Sequence, residues 1–506
     1  MSKILRGGRL WPVRKDVSEF TSSIKDDAKL CSAVVQINTA HAIMLTEQKI
    51  IKPSDGAKLV QALTTDLSVK LDASSEDVHM AVEEAVLEKT GAETGGNLHI
   101  AKSRNDQVAT AIRMVLRQQL LDLMLSVTEL QESLAQASEQ HLKTVILAYT
   151  HLQPAQPVTF AHYLLSRFDA LDRDLRRLKN VYARVNVCPM GAGALATTSF
   201  PINRKRVREL LGFDGLLENS IDAVGSRDFI LETNAVLTLI AINLSQMAED
   251  LIVWSSPDFG VIELPDDFTS TSSMMPQKKN PEVPEVIRAR AGHVLGDFVA
   301  SAAAMKNMPS TYNLDFQEVT PKLWSALENV RSSVTILAQL IPNLKVTSDI
   351  SAKASANFVA ATELANILVR DYAVPFRSAH KIVGSLVKSL LAAKQTLTDV
   401  TPEILWKIAK SSAGIELFVK AKDLVPLSNP LKIVESHKVT GGPAPSEVKR
   451  ALLARKKSLT AAKSSISKMK QRLQEAERNL KLAAKSVSRE ETEVSTKFKN
   501  DKLEVE

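Results

Sequence analysis

One stretch of this chain, residues 97–153, contains neither glycine nor proline. Apolar residues recur in it at the three- and four-residue spacing of one helix face: Ile112, Leu116, Leu120, Leu123, Val127, Leu130, Leu134 and Ala137. The same spacing returns within residues 160–185, 237–254 and 323–337. Because a helix of about 30 residues is about 45 Å long, such helices bury their apolar faces only by lying side by side. The sequence therefore predicts an elongated helical bundle over residues 103–350.

The composition favours helices in the rest of the chain as well. Only 18 of the 506 residues are glycine, about half of the usual frequency of about 7%, and only 5% are aromatic. Sheets and barrels that depend on many tight turns are disfavoured, so the predicted class is all-α. The formal net charge of +7 is too small for this length to indicate a nucleic-acid partner.

The sequence also predicts a soluble, cytoplasmic protein. The first 16 residues lack the apolar run of a signal peptide, and no stretch reaches the roughly 18 apolar residues that span a bilayer. No membrane partner is therefore expected. Cys31 and Cys188 are too few for a disulfide framework and show no metal-ligand spacing, which fits two inert thiols in a reducing compartment.

Changes in pattern divide the chain into four predicted segments. They are an N-terminal mixed helical domain (1–102), the central long-helix bundle (103–350), a C-terminal helical domain (351–445) and a helical, coiled-coil-like extension (446–506). Gly7-Gly8 and Gly95-Gly96 punctuate the first segment, and the turn Gly441-Gly442-Pro443 ends the third.

Several common catalytic motifs are absent from the sequence. It has no GxxxxGK[ST] phosphate loop, no GxGxxG, no GxSxG and no HExxH. Its His, Cys, Asp and Glu residues form no cluster with metal-ligand spacing. Nucleotide, nicotinamide, hydrolase-triad and zinc chemistry are therefore disfavoured, and no metal or organic cofactor is expected.

Polar segments interrupt the helical pattern at four places, and such interruptions are where function tends to lie. In residues 103–107, SRNDQ, Ser103 or Asn105 is a possible helix N-cap. An arginine beside several amides, as at Arg104, is also a common arrangement for binding a carboxylate. Thr150 and His151 lie in a proline-bracketed loop predicted to join two long helices. There the histidine is either a structural group or a proton carrier. The third segment, GAGAL from residue 191, is interpreted as a tight helix connection.

The fourth segment, residues 266–281, is the most informative. Its five consecutive hydroxyl residues, 269–273, suit neither a helix nor a core, which indicates a loop. Pro276 and Pro281 flank two lysines and Asn280 in this loop. The positive charges and the amide are suited to binding an anion. Composition alone would also fit a solvated linker.

These segments resemble the motifs of the fumarase/aspartase superfamily. Residues 272–281, SSMMPQKKNP, are similar to its signature loop, usually written GSSxMPxKxN. Four other segments resemble the argininosuccinate lyase branch: 103–107, 150–157, 309–313 and 375–380. The resemblance extends from about Gly7 to about Leu459 in the family's order. It implies a three-domain helical fold with a central five-helix bundle, assembled as a homotetramer whose active sites are shared between subunits.

The family reaction is β-elimination of the small molecule argininosuccinate to arginine and fumarate, a step of arginine biosynthesis that uses no metal or organic cofactor. Carried over residue by residue, the resemblance implies Ser272 as the catalytic base, and Lys278 and Asn280 as stabilisers of a dianionic intermediate. It implies His151 paired with Glu285, and leaves open whether His151 or a neighbour protonates the leaving guanidinium. The other implied substrate contacts are Ser23, Ser103, Arg104, Asn105, Thr150, Tyr312 and Gln317.

Three substitutions depart from the family pattern. Thr271 stands at the signature's glycine, and Leu314 and Thr320 stand where the family commonly has the lysines of YNKDLQEDK. Those two positions lie near the arginine end of the family's site, so they bear on substrate choice. The alternatives are a superfamily lyase acting on another succinyl-amine adduct and a non-catalytic structural protein on the same fold. The retained Ser272 and Lys278 favour an enzyme.

The extension has an apolar seam of its own. Spacings of three and four alternate over four heptads: Leu459, Ala462, Ile466, Met469, Leu473, Ala476, Leu480, Ala483 and Val487. Because an isolated helix with a single apolar face is marginal, the seam is predicted to dock against the tetramer or a second tail. The alternative is a frayed, solvated helix.

Overall fold

The structure is a computed structural model that describes residues 11, 13–71, 76–347 and 350–503, with their side chains except those of residues 351 and 490–503. The predicted punctuation at Gly7-Gly8 lies outside these residues. The helices are α1 (Lys15–Thr21), α2 (Ile24–Asp27), α3 (Cys31–Glu47), α4 (Pro53–Thr64), α5 (Val78–Gly96), α6 (Arg104–Gln140), α7 (Phe160–Val185), α8 (Arg204–Leu210), α9 (Ser220–Gly225), α10 (Asp228–Ser255), α11 (Glu282–Met305), α12 (Asp315–Leu340), α13 (Ser351–Ala356), α14 (Ala361–Tyr372), α15 (Phe376–Ala393), α16 (Pro402–Ala413), α17 (Pro430–Ser436) and α18 (Pro445–Leu503).

The strands of the described residues are short and pair two by two. They are β1 (Val145–Thr150), β2 (Gln153–Thr159), β3 (Val187–Cys188), β4 (Gly215–Leu216), β5 (Ile262–Glu263), β6 (Ser270–Thr271), β7 (Lys279–Asn280) and β8 (Lys345–Val346). The pairs β1–β2, β5–β8 and β6–β7 are antiparallel, and β3–β4 is parallel. The predicted all-α class is confirmed, because these ribbons only connect helices.

Five helices, α6, α7, α10, α11 and α12, pack side by side and alternate in direction. One end of this bundle, called the Arg104 end below, holds the starts of α6, α10 and α12; Arg113 there donates to the carbonyl oxygen of Arg184 over 2.8 Å. The opposite end, called the Gln140 end, holds the starts of α7 and α11. The predicted five-helix bundle is confirmed, and its apolar stripes form one continuous core with α3, α4 and α5.

The link between α6 and α7 differs from the prediction. The sequence predicts a loop for Thr150 and His151, but β1 and β2 form an antiparallel hairpin at the Gln140 end. Residues 145–150, VILAYT, are rich in strand-forming side chains. The two prolines of β2 are tolerated because an isolated ribbon leaves each strand an unpaired edge. Val145 and Leu147 of the hairpin pack on Val434 of α17.

The chain's second core lies in the C-terminal part. Apolar residues between Ala360 and Ile433, on α14 to α17, form a cluster separate from the bundle core. The chain then returns to the bundle, because Val448, Leu452 and later apolar residues of α18 belong to the first cluster.

The extension docks on its own chain. Ile466 is fully buried and Leu480 is 4% exposed, as α18 runs antiparallel to α6 and on to α3 and α4. Basic side chains flank this seam: the Lys463 Nζ lies 2.6 Å from the Glu132 carboxylate, and the Arg455 Nε donates to Asp169 over 2.7 Å. The predicted seam therefore contacts the bundle and the N-terminal helices.

We expect truncation after Thr460 to lower the melting temperature by several degrees while kcat stays nearly unchanged. Removing buried Ile466 and Leu480 exposes apolar surface worth about 1.5–3 kcal/mol per side chain, whereas the reacting groups lie elsewhere. Thermal unfolding and light scattering measure the effect. Ile466→Asp should reproduce it, and Leu482→Asp should not, since Leu482 is 57% exposed on the same helix. Wild-type melting of the truncated chain would contradict the prediction.

Among the described helices, α10 is long and apolar enough to cross a membrane by length and composition. Half of its most apolar window, with a mean hydropathy of 1.5, is buried in the bundle. It is a core helix whose other apolar side chains, such as Leu239 and Ile242, lie on the surface of the chain.

Candidate active site

A cavity of about 360 Å³ opens at the Arg104 end of the bundle. It lies between the N-terminal helices, the start of α6 and the start of α12. Six of the predicted substrate contacts line it together: Ser23, Ser103, Arg104, Asn105, Tyr312 and Gln317. These residues come from three distant parts of the sequence, and the fold brings them together around one cavity.

The start of α6 is held by a capping box. The Ser103 hydroxyl accepts from the Asn105 N–H over 3.3 Å, and the Asp106 carboxylate accepts from the Ser103 N–H over 3.0 Å. The same carboxylate also accepts from the N–H groups of Gly191 and Gly193, over 3.0 and 2.9 Å. The N-cap interpretation of Ser103 is confirmed. Asp106 binds the 191–193 loop to the cavity rim.

Arg104 projects from the first turn of α6 and is already paired. Its guanidinium donates to the carboxylate of Asp77, which caps α5 by accepting from the Met80 N–H over 2.8 Å. Asn105 donates to the carbonyl oxygen of Ala194 over 3.1 Å. These contacts fix both side chains at the cavity wall before any substrate binds.

Acidic side chains that were not singled out in the sequence form a second part of the cavity lining, called the acidic wall below. Asp27, Glu76 and Asp77 line the cavity, and Asp27 accepts from the Ser23 hydroxyl. Burial raises the pKa of Asp27 to about 6. Of the described lining residues, Arg104 alone carries a permanent positive charge, so the cavity favours a cationic group at this wall. The i, i+4 spacing of Ser23 and Asp27 was the one local signal for this wall.

The positions that depart from the family pattern near Tyr312 also line this cavity. Leu314 and Thr320 present an apolar side chain and a hydroxyl where a lysine would add positive charge. The Thr320 hydroxyl is occupied, since it donates to the carbonyl oxygen of Phe316 over 3.1 Å.

The other predicted residues lie at the Gln140 end. Thr150 is the last residue of β1, and His151 and Leu152 form the two-residue turn of the hairpin, with φ angles of 55° and 57°. A turn with two left-handed residues matches the twist of the strands but usually contains Asn or Gly. Non-glycine residues held in this conformation cluster at functional sites. Both residues of the turn are exposed to solvent.

The signature loop lies at the same end and is closed by the β6–β7 ribbon. The Ser272 hydroxyl oxygen accepts from the backbone N–H groups of Met274 and Met275, over 3.3 and 3.1 Å. The Lys278 ammonium donates to the Asn280 side-chain oxygen over 2.7 Å. Thr271 lies in β6 with an extended backbone, so this position does not require the glycine of the signature.

The two groups of predicted residues are separated by the length of the bundle. Helix α11, with 24 residues, and helix α12, with 26, are each about 36–39 Å long. Ser272 and Lys278 therefore lie far from Arg104 and Tyr312 of the same chain. His151 and Glu285, both described, form no ion pair within one chain.

No group of three or more His, Cys, Asp or Glu side chains that could hold a metal ion occurs in the described ranges. The chemistry available at the signature loop comes from a hydroxyl, an ammonium group, amides and backbone N–H groups.

Comparison with known proteins identifies relatives of this chain. A family model described as "Lyase" matches residues 11–296, and one described as "Argininosuccinate lyase C-terminal" matches residues 358–426. The argininosuccinate lyase of Methanosarcina barkeri is 43% identical over 91% of this chain and 94% of its own length. That of Methanocaldococcus jannaschii is 41% identical over 90% of this chain and 94% of its own length.

A solved structure shares the fold over nearly the whole chain. The EDDS lyase crystallised with formate has a TM-score of 0.84 and 28% identity, covering 97% of this chain and 99% of that one. The shared fold therefore includes most of the C-terminal extension.

Proposed function

The chain belongs to the argininosuccinate lyase family of the fumarase/aspartase superfamily, and on that premise we propose that it cleaves L-argininosuccinate into L-arginine and fumarate. The observation that carries the proposal is the full-length similarity to argininosuccinate lyases, at 41–43% identity, together with the retained signature loop. The reaction makes the protein a carbon–nitrogen lyase of arginine biosynthesis.

Ser272 is proposed to take the proton from the carbon next to a substrate carboxylate. Two backbone N–H groups on its oxygen favour the alkoxide, since hydrogen bonds to a charged form lower its proton affinity. The electron pair left on carbon moves into the carboxylate, giving a dianion that Lys278 and Asn280 are proposed to stabilise.

Bond cleavage then completes the elimination. The electron pair returns to form the carbon–carbon double bond of fumarate, and the carbon–nitrogen bond breaks toward the guanidinium nitrogen. That nitrogen takes a proton and leaves as the guanidinium of arginine. His151, which the family resemblance pairs with Glu285, is the proposed participant in this proton transfer, and Thr150 the adjacent substrate contact.

The cavity at the Arg104 end is proposed to hold the arginine end of the substrate. Its acidic wall suits a cationic group, and its hydroxyl and amide donors suit a carboxylate. No step of the chemistry calls for a metal or an organic cofactor.

We expect Asp27→Asn to raise KM at least about tenfold, which is about 1.4 kcal/mol of lost binding, because a buried carboxylate facing a cation is removed. The same variant should melt higher than the wild type near neutral pH. The native pKa of about 6 exceeds the ordinary 3.8, so the native state binds more protons and loses stability as pH rises between these values. Melting curves at about pH 4 and about pH 7 should therefore show a gain that grows with pH. A higher KM without that trend would refute the electrostatic account of Asp27.

Active sites shared within a homotetramer would bring the two ends of the bundle together. The separation of about 36 Å along α11 supports this arrangement, since one substrate cannot reach both groups in one chain. An apolar surface on α10 and α11 offers the contact area: Leu239, Ile242, Val286, Leu295 and Val299 are each at least 42% exposed. We expect this tetramer to work in the cytoplasm.

Fumarate release, followed by ultraviolet absorbance, tests the function. Argininosuccinate should be cleaved, and adenylosuccinate should not. No release from argininosuccinate would overturn the proposal.

A second candidate is elimination from another succinyl-amine adduct. Leu314 and Thr320 in the cavity wall favour it, as does the 28% identity to an EDDS lyase. Release of fumarate from EDDS but not from argininosuccinate would support this candidate. Release from no adduct would support a structural role for the fold.

A further inference from the structure

Arg227 is a fully buried cation with unused donors. It precedes α10 at the Arg104 end and is 1% exposed. Its Nη1 donates to the carbonyl oxygens of Val224 and Ser226, over 3.1 and 2.8 Å. Its Nε and Nη2 have no hydrogen-bond partner among the described residues.

The charge of Arg227 is also uncompensated within the described chain. Besides burial, Arg113 and Tyr312 act most strongly on its pKa, and neither is an anion at neutral pH. A buried charge without a counter-ion is costly, so proteins pair such groups or use them. The nearby Arg117 differs, because its guanidinium donates to the Asn186 side chain and to two carbonyl oxygens.

The position of Arg227 connects it to the candidate site. Its guanidinium carbon lies 4.5 Å from the ring centroid of Phe316, which lines the cavity together with Tyr312. Arg227 therefore lies directly behind one wall of the cavity. The acids Asp27 and Asp77 also line the cavity, so a buried cation and two carboxylates act on the same space.

We propose that Arg227 is a positioning residue whose charge, acting through Tyr312 and Phe316, makes their wall the binding place for a substrate carboxylate. The Tyr312 hydroxyl is the direct donor, and the cation behind it strengthens that hydrogen bond. The inference rests on the proposed function, since it assigns one carboxylate of a substrate that carries several. Asp27 and Asp77 repel the same carboxylate, so the cation and the two acids together favour one orientation of the substrate.

Succinate, used as a competitive dicarboxylate probe on the assembled enzyme, tests the assignment. Arg227→Gln should weaken succinate binding about tenfold or more, which corresponds to about 1.4 kcal/mol, while kcat changes less than KM. Arg227→Lys keeps the charge and should recover most of the affinity. Combining Arg227→Gln with Tyr312→Phe should cost less than the product of the two single losses, because the residues act as a unit. Arg117→Lys is the matched control and should bind succinate as the wild type does.

A second pair of variants leaves Arg227 in place. The Ser226 hydroxyl is buried without a partner among the described residues, and the Ser226 carbonyl oxygen accepts from the Arg227 guanidinium over 2.8 Å. Ser226→Asp should neutralise Arg227 and weaken succinate binding about as much as Arg227→Gln, and Ser226→Asn should not.

The outcomes separate the possible roles of Arg227. Wild-type succinate affinity in folded Arg227→Gln or Ser226→Asp would overturn the assignment, as would equal losses in the Ser226→Asp and Ser226→Asn pair. Dependence of melting on protein concentration in Arg227→Gln alone, with unchanged succinate binding, would instead indicate a counter-ion from a partner subunit. If the wild type releases no fumarate from argininosuccinate, the proposed function fails. Calorimetric binding of succinate to the same variants still tests Arg227.

Discussion

Ser272→Ala is expected to lower kcat about a thousandfold while folding and substrate binding stay nearly intact. A positioned base contributes about 10²–10⁴-fold, and no other described side chain in the loop has an oxygen that accepts from two backbone N–H groups. The side chain is partly exposed and packs on little, so its loss should not change the melting temperature. Fumarate release measures kcat, and calorimetry of argininosuccinate with the slow variant measures binding.

Ser273→Ala is the control for that experiment. Ser273 is the next residue of the same loop and is exposed. Replacing it removes a hydroxyl from the same loop, but not the hydroxyl that accepts from two backbone N–H groups. Its kcat should stay close to that of the wild type. If Ser272→Ala eliminates within about tenfold of the wild type, about 1.4 kcal/mol of barrier, another group is the base.

The helical bundle was predictable because its signal is local and repeated. The stripe from Ile112 to Ala137 lies inside α6, and those residues are buried as the spacing indicates. Helix length also bears on the proposed site, because the 24 residues of α11 separate the two groups of candidate residues. The separation therefore follows from the sequence once the helices are assigned.

The hairpin at the Gln140 end was less accessible to sequence reasoning. Residues 145–150 have strand-forming side chains, but two prolines nearby favour a loop, and a six-residue segment shows too few periods to decide. Its pairing with β2 and its packing on Val434 depend on tertiary structure, which the local sequence does not show. The hairpin bears on the proposed site, since it holds His151 in a left-handed turn.

The other residues that the sequence did not predict lie far apart in the chain and meet only in the folded structure. Asp27, Glu76 and Asp77 come from separate segments of the N-terminal part, and no spacing rule connects them with Tyr312. No sequence pattern singles out Arg227, because its free Nε and Nη2 donors depend on which described side chains surround it in space. The seam of α18 was visible in sequence, but its partner helices were set by the shape of the bundle.

Mixing two inactive variants should restore about a quarter of the wild-type activity when each variant is damaged at a different end of the bundle. Arg104→Met alters the cavity, and Lys278→Met alters the signature loop. If each site takes its cavity from one subunit and its loop from another, an equal mixture supplies each intact part with a chance of about one half, and both parts together about one quarter of the time. The reassociated mixture is assayed for fumarate release, and native mass spectrometry confirms the hybrid tetramers.

The pair Ser272→Ala and Lys278→Met provides the matched control, because both changes lie in one loop of one subunit. No arrangement of these two chains gives an intact loop, so this mixture should stay inactive. Recovery in the control would show that the loop residues come from different subunits. Failure of the Arg104→Met and Lys278→Met mixture, with hybrids confirmed, would require both ends to act within one chain. The length of α11 would then have to be bridged by a rearrangement of the bundle itself.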